Sequence, residues 1–100
     1  MQDPMDDLAR ELPDVVKAFR ELHGAVTADG ALSARTKQLI IVGISVALRC
    51  DPCVERHIAI AKEMGISNEE IVEASGVAIL MAGGPAAAFA CHGVLGRLGE

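Results

Sequence analysis

Helix start and stop signals recur along the whole chain and constrain its fold more than any other feature of the sequence. The start signals are a proline that suits the first turn of a helix or a serine that suits the N-cap: Pro13, Ser33, Pro52, Ser67 and Pro85. Strand signals are weak, because the one β-branched cluster, Ile40-Ile41-Val42, lies inside a longer helical pattern. The sequence therefore predicts an all-α fold of about five to six helices.

The predicted helix ends follow from turn signals between the apolar segments. Asp29-Gly30, Gly65 and Gly83-Gly84 are such signals. Arg49 to Pro52 forms another break, because the residue before a proline avoids the α conformation. The predicted helices run from Asp6 to Leu12, from Pro13 to about Thr27 or Ala28, from Ala34 to about Leu48, from Pro52 to about Met64, from Asn68 to about Met81 or Ala82, and from Pro85 to about Leu98.

Aliphatic residues must form the core, because the 100-residue chain contains two Phe and no Trp or Tyr. Hydrophobic residues make up 51% of the sequence and the mean hydropathy is +0.35, which excludes a disordered chain. This length fits a single domain over residues 1–100. Because so small a domain cannot bury all of its aliphatic surface alone, the sequence predicts a homo-oligomer.

Two segments without formal charge support this interpretation. Gln38–Leu48 is uncharged over 11 residues, which predicts burial on most faces of its helix. Ala74–Gly96 is uncharged over 23 residues, a length that could span a bilayer, but Gly83-Gly84-Pro85 interrupts it and His92 follows. This segment is therefore interpreted as two buried helices at a subunit interface, and no membrane partner is expected.

The charge balance excludes a nucleic-acid partner. Nine basic and 14 acidic residues give a net charge of −5, whereas phosphate binding requires a basic surface. The acidic segment Met1–Asp7 lacks the features of a signal peptide, and three cysteines, an odd number, do not suggest a secreted disulfide framework. We therefore expect a cytoplasmic protein.

The segment with the clearest chemistry is Cys50–His57, a CxxC motif followed by a histidine four residues after its second cysteine. On a helix, Cys53 and His57 lie one turn apart on one face, and Cys50 lies at or just before the helix start. A helix N-terminus and a nearby imidazole both favour a thiolate at Cys53. A second thiol within disulfide reach makes this a candidate two-cysteine redox centre.

Other interpretations of the motif remain open at this stage. A structural zinc site needs four ligands, so Cys50, Cys53 and His57 would require Cys91 or His92 as the fourth. The two cysteines could also be buried small hydrophobic residues. Outside the motif, Cys91 and His92 are expected to be a packed core pair. His23 is expected at the surface.

Four segments resemble the carboxymuconolactone decarboxylase superfamily, and in particular its alkylhydroperoxidase AhpD-like core. They are Leu32–Ile40, Leu48–His57, Ala74–Ala78 and Gly83–Pro85, and the resemblance extends over about Asp6 to Leu95. It implies an all-helical fold, assembly into trimers or hexamers, and peroxidase activity at the CxxC pair.

When the residue roles of the family are assigned to the matching positions of this motif, the resemblance implies that Cys53 attacks the peroxide and that Cys50 resolves the intermediate. It also implies that His57 belongs to a proton relay. The family relay also uses a glutamate twelve residues before the first cysteine, a position that Gln38 occupies here. An amide cannot act as a base at neutral pH, so Gln38 can orient a neighbour only by hydrogen bonds.

The expected function is that of a thiol-dependent peroxidase. The expected partners are a hydroperoxide substrate and an external dithiol reductant, and no metal or other cofactor is expected. Two alternatives stay open: a non-catalytic redox-sensing or binding module of the same fold, and a lyase of the carboxymuconolactone decarboxylase type.

Overall fold

The computed structural model describes residues 4–99, and these residues form helices and connecting turns without any strand. The last three helical stretches follow one another without interruption, so the described chain forms six helical rods. This confirms the predicted all-α class. The elements are α1 (Pro4–Glu11), α2 (Pro13–Thr27), α3 (Ala34–Ala47), α4 (Asp51–Glu63), α5 (Asn68–Ala82), α6 (Gly84–Phe89), a π-helix (Ala90–Leu95) and α7 (Gly96–Leu98).

The predicted start signals cap the helices as expected. The Ser33 side chain accepts a hydrogen bond from the backbone N–H of Thr36 at the start of α3. At the start of α5, Ser67 and Glu70 form both hydrogen bonds of a capping box. Gly65, with φ +79°, follows the C-cap of α4 in a conformation that residues with a Cβ rarely adopt.

Helices α3 to α7 pack around one aliphatic core, and we call residues 34–98 the bundle. Helix α3 is central and packs against both α4 and α5. A Cβ at Gly43 would lie 3.3 Å from the carbonyl oxygen of Ala74, so the absence of a side chain there lets α3 approach α5 closely. The buried core residues are Val42, Val46, Val54, Ile58, Ala61, Ile66, Ile71, Ala78, Ala86, Ala90 and Val94.

Helices α1 and α2 pack mainly against each other, and we call residues 4–27 the arm. Its one buried hydrophobic residue is Val16. Four other apolar residues recur at helical spacing along one side of α2 and are each more than half exposed, and we call them the arm stripe: Val15, Phe19, Leu22 and Val26. The described part of the chain does not cover this apolar face.

An apolar groove of about 520 Å³ runs along the bundle surface between α3 and α5. Ile40 and Ile44 line it from α3, and Val77 and Met81 line it from α5. All four side chains are exposed, as is Leu48. Within Gln38–Leu48 only Ile40, Ile44 and Leu48 are exposed, so the predicted burial holds on most faces of this helix, and one face is left open because α5 and α4 do not cover it.

The last helical rod differs from its prediction in one respect. A π-helical stretch with a wider turn interrupts the predicted helix, and it buries Ala90, Gly93 and Val94. Cys91 and His92 face outward and are exposed, so the prediction that they form a packed core pair is wrong. Within residues 4–99 no helix is both long and apolar enough to cross a membrane.

Candidate functional site

A tight helix end places the first cysteine of the motif. The N–H groups of Arg49 and Cys50 donate to the carbonyl oxygens of Val46 and Ser45, the hydrogen-bond pattern of a Schellman motif. Arg49 has φ +55°, the left-handed conformation for which this position normally uses glycine. The chain therefore reverses at a strained residue immediately before Cys50 and starts α4 at once.

Cys50 and Cys53 form a disulfide across the first turn of α4, with a Cα–Cα distance of 5.2 Å. Cys50 is the N-cap of the helix, and its Sγ accepts a hydrogen bond from the Cys53 N–H at 3.3 Å. Pro52 lies in the first turn, where its missing N–H leaves no donor unpaired. The structure therefore describes the oxidised form of the CxxC pair. Both cysteines are only partly buried, so the pair remains accessible to solvent.

His57 lies one turn after Cys53 on α4 and is held by Gln38, which α3 carries into the bundle. The Gln38 side chain is buried, and its Nε2 donates to the His57 carbonyl oxygen at 2.9 Å. Because a carbonyl oxygen can only accept, this bond fixes the orientation of the amide. The same nitrogen lies 3.3 Å from Nδ1 of His57. Nδ1 therefore accepts, and the proton of the neutral imidazole resides on Nε2.

The surroundings of His57 disfavour its protonated form. Burial lowers the pKa of His57 below its ordinary value, and the nearby positive charges of His23 and Arg56 lower it further. The neutral imidazole is thus the form that the folded protein favours near neutral pH.

His23, which was expected at the surface, lies instead beside His57, and that expectation is wrong. The two rings stack with centroids 6.0 Å apart and planes inclined by 13°. His23 is partly buried, and its Nε2 is shielded from solvent without a hydrogen-bond partner among the described residues. Nothing in the local sequence indicates this contact, because the two histidines are 34 positions apart and belong to the arm and the bundle.

The remaining candidate residues do not join this cluster. Among residues 4–99, no group of three His, Cys, Asp or Glu side chains is arranged to hold a metal ion. Cys91 is a free, exposed cysteine on the π-helix. The α3–α5 groove is lined by none of the four residues Gln38, Cys50, Cys53 and His57.

Comparison with known proteins identifies the family. The model of the carboxymuconolactone decarboxylase family matches residues 13–94, so the chain belongs to this family. The described structure is also similar to the crystal structure of an apo carboxymuconolactone decarboxylase family protein from Legionella pneumophila. The TM-score is 0.88 at 30% sequence identity, and the match covers 95% of this chain and 85% of that one.

Similar sequences occur in bacteria and in an archaeon. "Uncharacterized protein 4 in cox locus" of Paracoccus denitrificans is 41% identical over 86 residues, which cover 86% of this chain and 78% of that protein. An uncharacterized protein of Methanocaldococcus jannaschii is 36% identical over 84 residues, covering 82% of this chain and 80% of its own length. The family includes enzymes, and this member carries a CxxC disulfide pair. The names of these two relatives state no activity.

Proposed function

We propose that this protein is a thiol-dependent peroxidase that uses Cys53 and Cys50 as a dithiol/disulfide pair. The observation that carries the proposal is the Cys50–Cys53 disulfide at the start of α4, one turn from a neutral, hydrogen-bonded His57. Cys53 is proposed as the attacking residue because it lies four residues before His57 on the same helix face. Cys50, at the N-cap, is proposed as the resolving residue.

In the first step, the Cys53 thiolate attacks the terminal oxygen of a hydroperoxide. An S–O bond forms and the O–O bond breaks. The hydroperoxide proton ends on the leaving oxygen, so the products are a sulfenate and an alcohol, or water when the substrate is hydrogen peroxide, and the sulfenate takes up a proton from solvent to become a sulfenic acid. His57 donates a hydrogen bond from Nε2 to the leaving oxygen as negative charge develops there.

In the second step, the Cys50 thiol condenses with the Cys53 sulfenic acid and releases water, which gives the disulfide. An external dithiol then reduces the disulfide by thiol–disulfide exchange and is itself oxidised to a disulfide. Because the cycle needs a reduced dithiol, the proposed location is the cytoplasm. No metal or organic cofactor takes part in the proposed steps.

Single-cysteine variants test the proposal. Reduced Cys53→Ser should not consume hydrogen peroxide, whereas Cys50→Ser should react once and stop as a sulfenic acid that mass spectrometry locates on Cys53. Cys91→Ser is the matched control and should cycle like the parent, because Cys91 lies outside the cluster. Faster reaction in Cys53→Ser than in Cys50→Ser would reverse the two roles, and no reaction in the parent protein would remove the proposal.

The hydrogen-bonded pair of Gln38 and His57 gives a second part of the same test. His57→Ala should slow the first step by about 10²–10³-fold, the usual effect of removing one donor to a developing oxyanion. In Gln38→Glu, the new carboxylate should accept a hydrogen bond from a proton on Nδ1, which leaves Nε2 free to act as a base. The reaction should then be faster, and its pH profile should show a new acidic limb. An unchanged rate in Gln38→Glu with the fold intact would mean that residue 38 does not control His57.

One observation favours the redox-sensing alternative as a second candidate. Gln38 supplies an amide where the family relay has a carboxylate, and an amide cannot take up the thiol proton. A sensor would form the disulfide reversibly with slow turnover. A lyase of the decarboxylase type would act on a lactone acid without needing either cysteine, so Cys50→Ser and Cys53→Ser would leave its activity unchanged.

We also propose that copies of the chain associate, with the arm stripe of one copy packing into the α3–α5 groove of the next. The support is that both surfaces are apolar and exposed, one as a ridge on α2 and the other as a groove. Since the two surfaces differ, their contact is heterologous and closes into a ring when the rotation permits.

A further inference from the structure

The arm supplies a residue to the site of the bundle, and no function has been assigned to that residue. His23 is on α2, which packs against α3 of the bundle, and its ring stacks on His57 of α4. Its Nε2 is shielded from solvent without a partner among the described residues, a costly arrangement for a ring nitrogen. A cavity of about 70 Å³ lies beside it, lined by Met5, Phe19, Arg20, His23 and Arg56.

We propose that His23 is a positioning residue for His57: its ring covers one face of the His57 imidazole and, whenever it carries a proton, opposes a second proton on His57. The role rests on the proposed function, because a second proton on His57 would occupy Nδ1, the atom through which Gln38 orients the ring and its Nε2 donor. Gln38 fixes the tautomer from the α3 side, and His23 acts on the same ring from the arm.

The charged groups around the two rings are consistent with this role. Arg56, on α4, adds positive charge beside His57, and Arg20 lines the cavity beside His23. Arg20 pairs with Asp6 of α1, so that charge is partly neutralised. On the α3 side His57 meets the neutral amide of Gln38, and at the start of α4 Asp51 pairs with Arg97. The positive charge of Arg56 beside His57 therefore opposes a second proton on the histidine pair.

Two substitutions separate the effects of the ring and of its charge. His23→Phe keeps a flat ring that can cover His57 and removes the two ring nitrogens, whereas His23→Ala removes both the ring and its nitrogens. His92→Ala is the matched control, since His92 is an exposed histidine on the π-helix. NMR titration of the His57 ring in the oxidised protein measures the effect directly, because the disulfide-bonded Cys50 and Cys53 do not titrate in that state.

The pKa of His57 should rise in His23→Phe, because the opposing charge is lost, and should rise further in His23→Ala, because water reaches the exposed ring face. His92→Ala should leave it unchanged. In the reduced protein, the pH at which the rate of the first peroxide step changes should move in the same direction.

An unchanged His57 titration in both His23 variants, with helical content preserved, would overturn the proposal. If the pKa of His57 shifts in the His23 variants but the parent protein consumes no peroxide, the coupling of the two rings stands and the peroxidase function is refuted. The two failures are therefore distinguishable.

Discussion

The arm and the bundle have similar amphipathic helices but differ in how many of their apolar residues they bury. Helices α3 to α5 and the π-helix bury one set in a common core, where Val42, Val54 and Ile71 are completely inaccessible, and leave another set exposed along the α3–α5 groove. On α2, Leu22 remains 58% exposed and Phe19 53% exposed. Helical periodicity therefore predicts an apolar face, but it does not determine whether the same chain or another molecule covers that face.

The two regions also contribute differently to the site. The bundle supplies the disulfide, His57 and Gln38, all of which lie on two consecutive helices, α3 and α4, or at the N-cap of α4. The arm supplies His23 alone, through a ring contact between residues far apart in sequence. A region that depends on few contacts can shift without unfolding the rest, so anything that anchors the arm also fixes the position of His23.

The largest expected effect tests the bundle. Ile71→Ala should lower the free energy of unfolding by about 2–5 kcal/mol, because it removes a buried side chain and leaves a cavity. Val72→Ala, one position later and partly exposed, is the matched control and should cost much less. Urea unfolding followed by circular dichroism measures both. Equal losses in the two variants would mean that the buried and exposed faces of α5 are assigned wrongly.

The next effect tests the arm. If the arm stripe packs into the groove of a second copy, Leu22→Asp should weaken association by about 30-fold or more, the effect of losing one central interface contact of about 2 kcal/mol. Light scattering should then give a lower mass, while the helical content stays unchanged. Glu21→Ala, next to it on α2, is the control and should assemble like the parent.

The parent protein itself provides the strictest check of this comparison. At micromolar concentration it should scatter as at least a trimer. A parent mass of 10.4 kDa would show that the exposed arm stripe is not covered by another copy. Association that survives Leu22→Asp would place the interface elsewhere.

Much of this architecture could be predicted because its signals are local. Ser33, Ser67 and Pro52 determine helix starts through hydrogen bonds or φ angles within one turn, and the structure has them as expected. The CxxC spacing likewise places two sulfur atoms across a single helix turn. Such features depend on neighbours within four residues, which the sequence displays directly.

The features that could not be predicted depend on long-range contacts or on a change of helical period. His23 meets His57 only after the arm folds back against the bundle. Cys91 and His92 face outward because a π-helical stretch alters the angle per residue, and the uncharged sequence around them gives no sign of it. The absence of charge indicated an apolar segment correctly but not which of its faces a neighbour covers.

The smallest expected effect compares two ion pairs, one in each region. In the bundle, both guanidinium nitrogens of Arg35 contact the carboxylate of Glu70, at 2.6 and 2.7 Å, which joins α3 to α5. In the arm, Arg20 makes one contact of 3.0 Å with Asp6, between two half-exposed side chains. The bidentate contact with Arg35 and the hydrogen bonds from Ser67 lower the pKa of Glu70 to about 2, from an ordinary 4.5.

The sign of the pH effect follows from this shift. Below pH 4.5 the unfolded chain takes up a proton at Glu70, whereas the folded chain does so only near pH 2. The stability that Glu70 contributes is therefore complete above pH 4.5 and is lost progressively as the pH falls toward 2.

Glu70→Gln should unfold at lower temperature at neutral pH and should show a flatter loss of stability between pH 4.5 and pH 2. Asp6→Asn should leave the slope as it is, since a single contact between half-exposed groups contributes little. Thermal unfolding at several pH values measures both variants, and an equally flattened slope in Asp6→Asn would mean that the arm is held by its charges as firmly as the bundle.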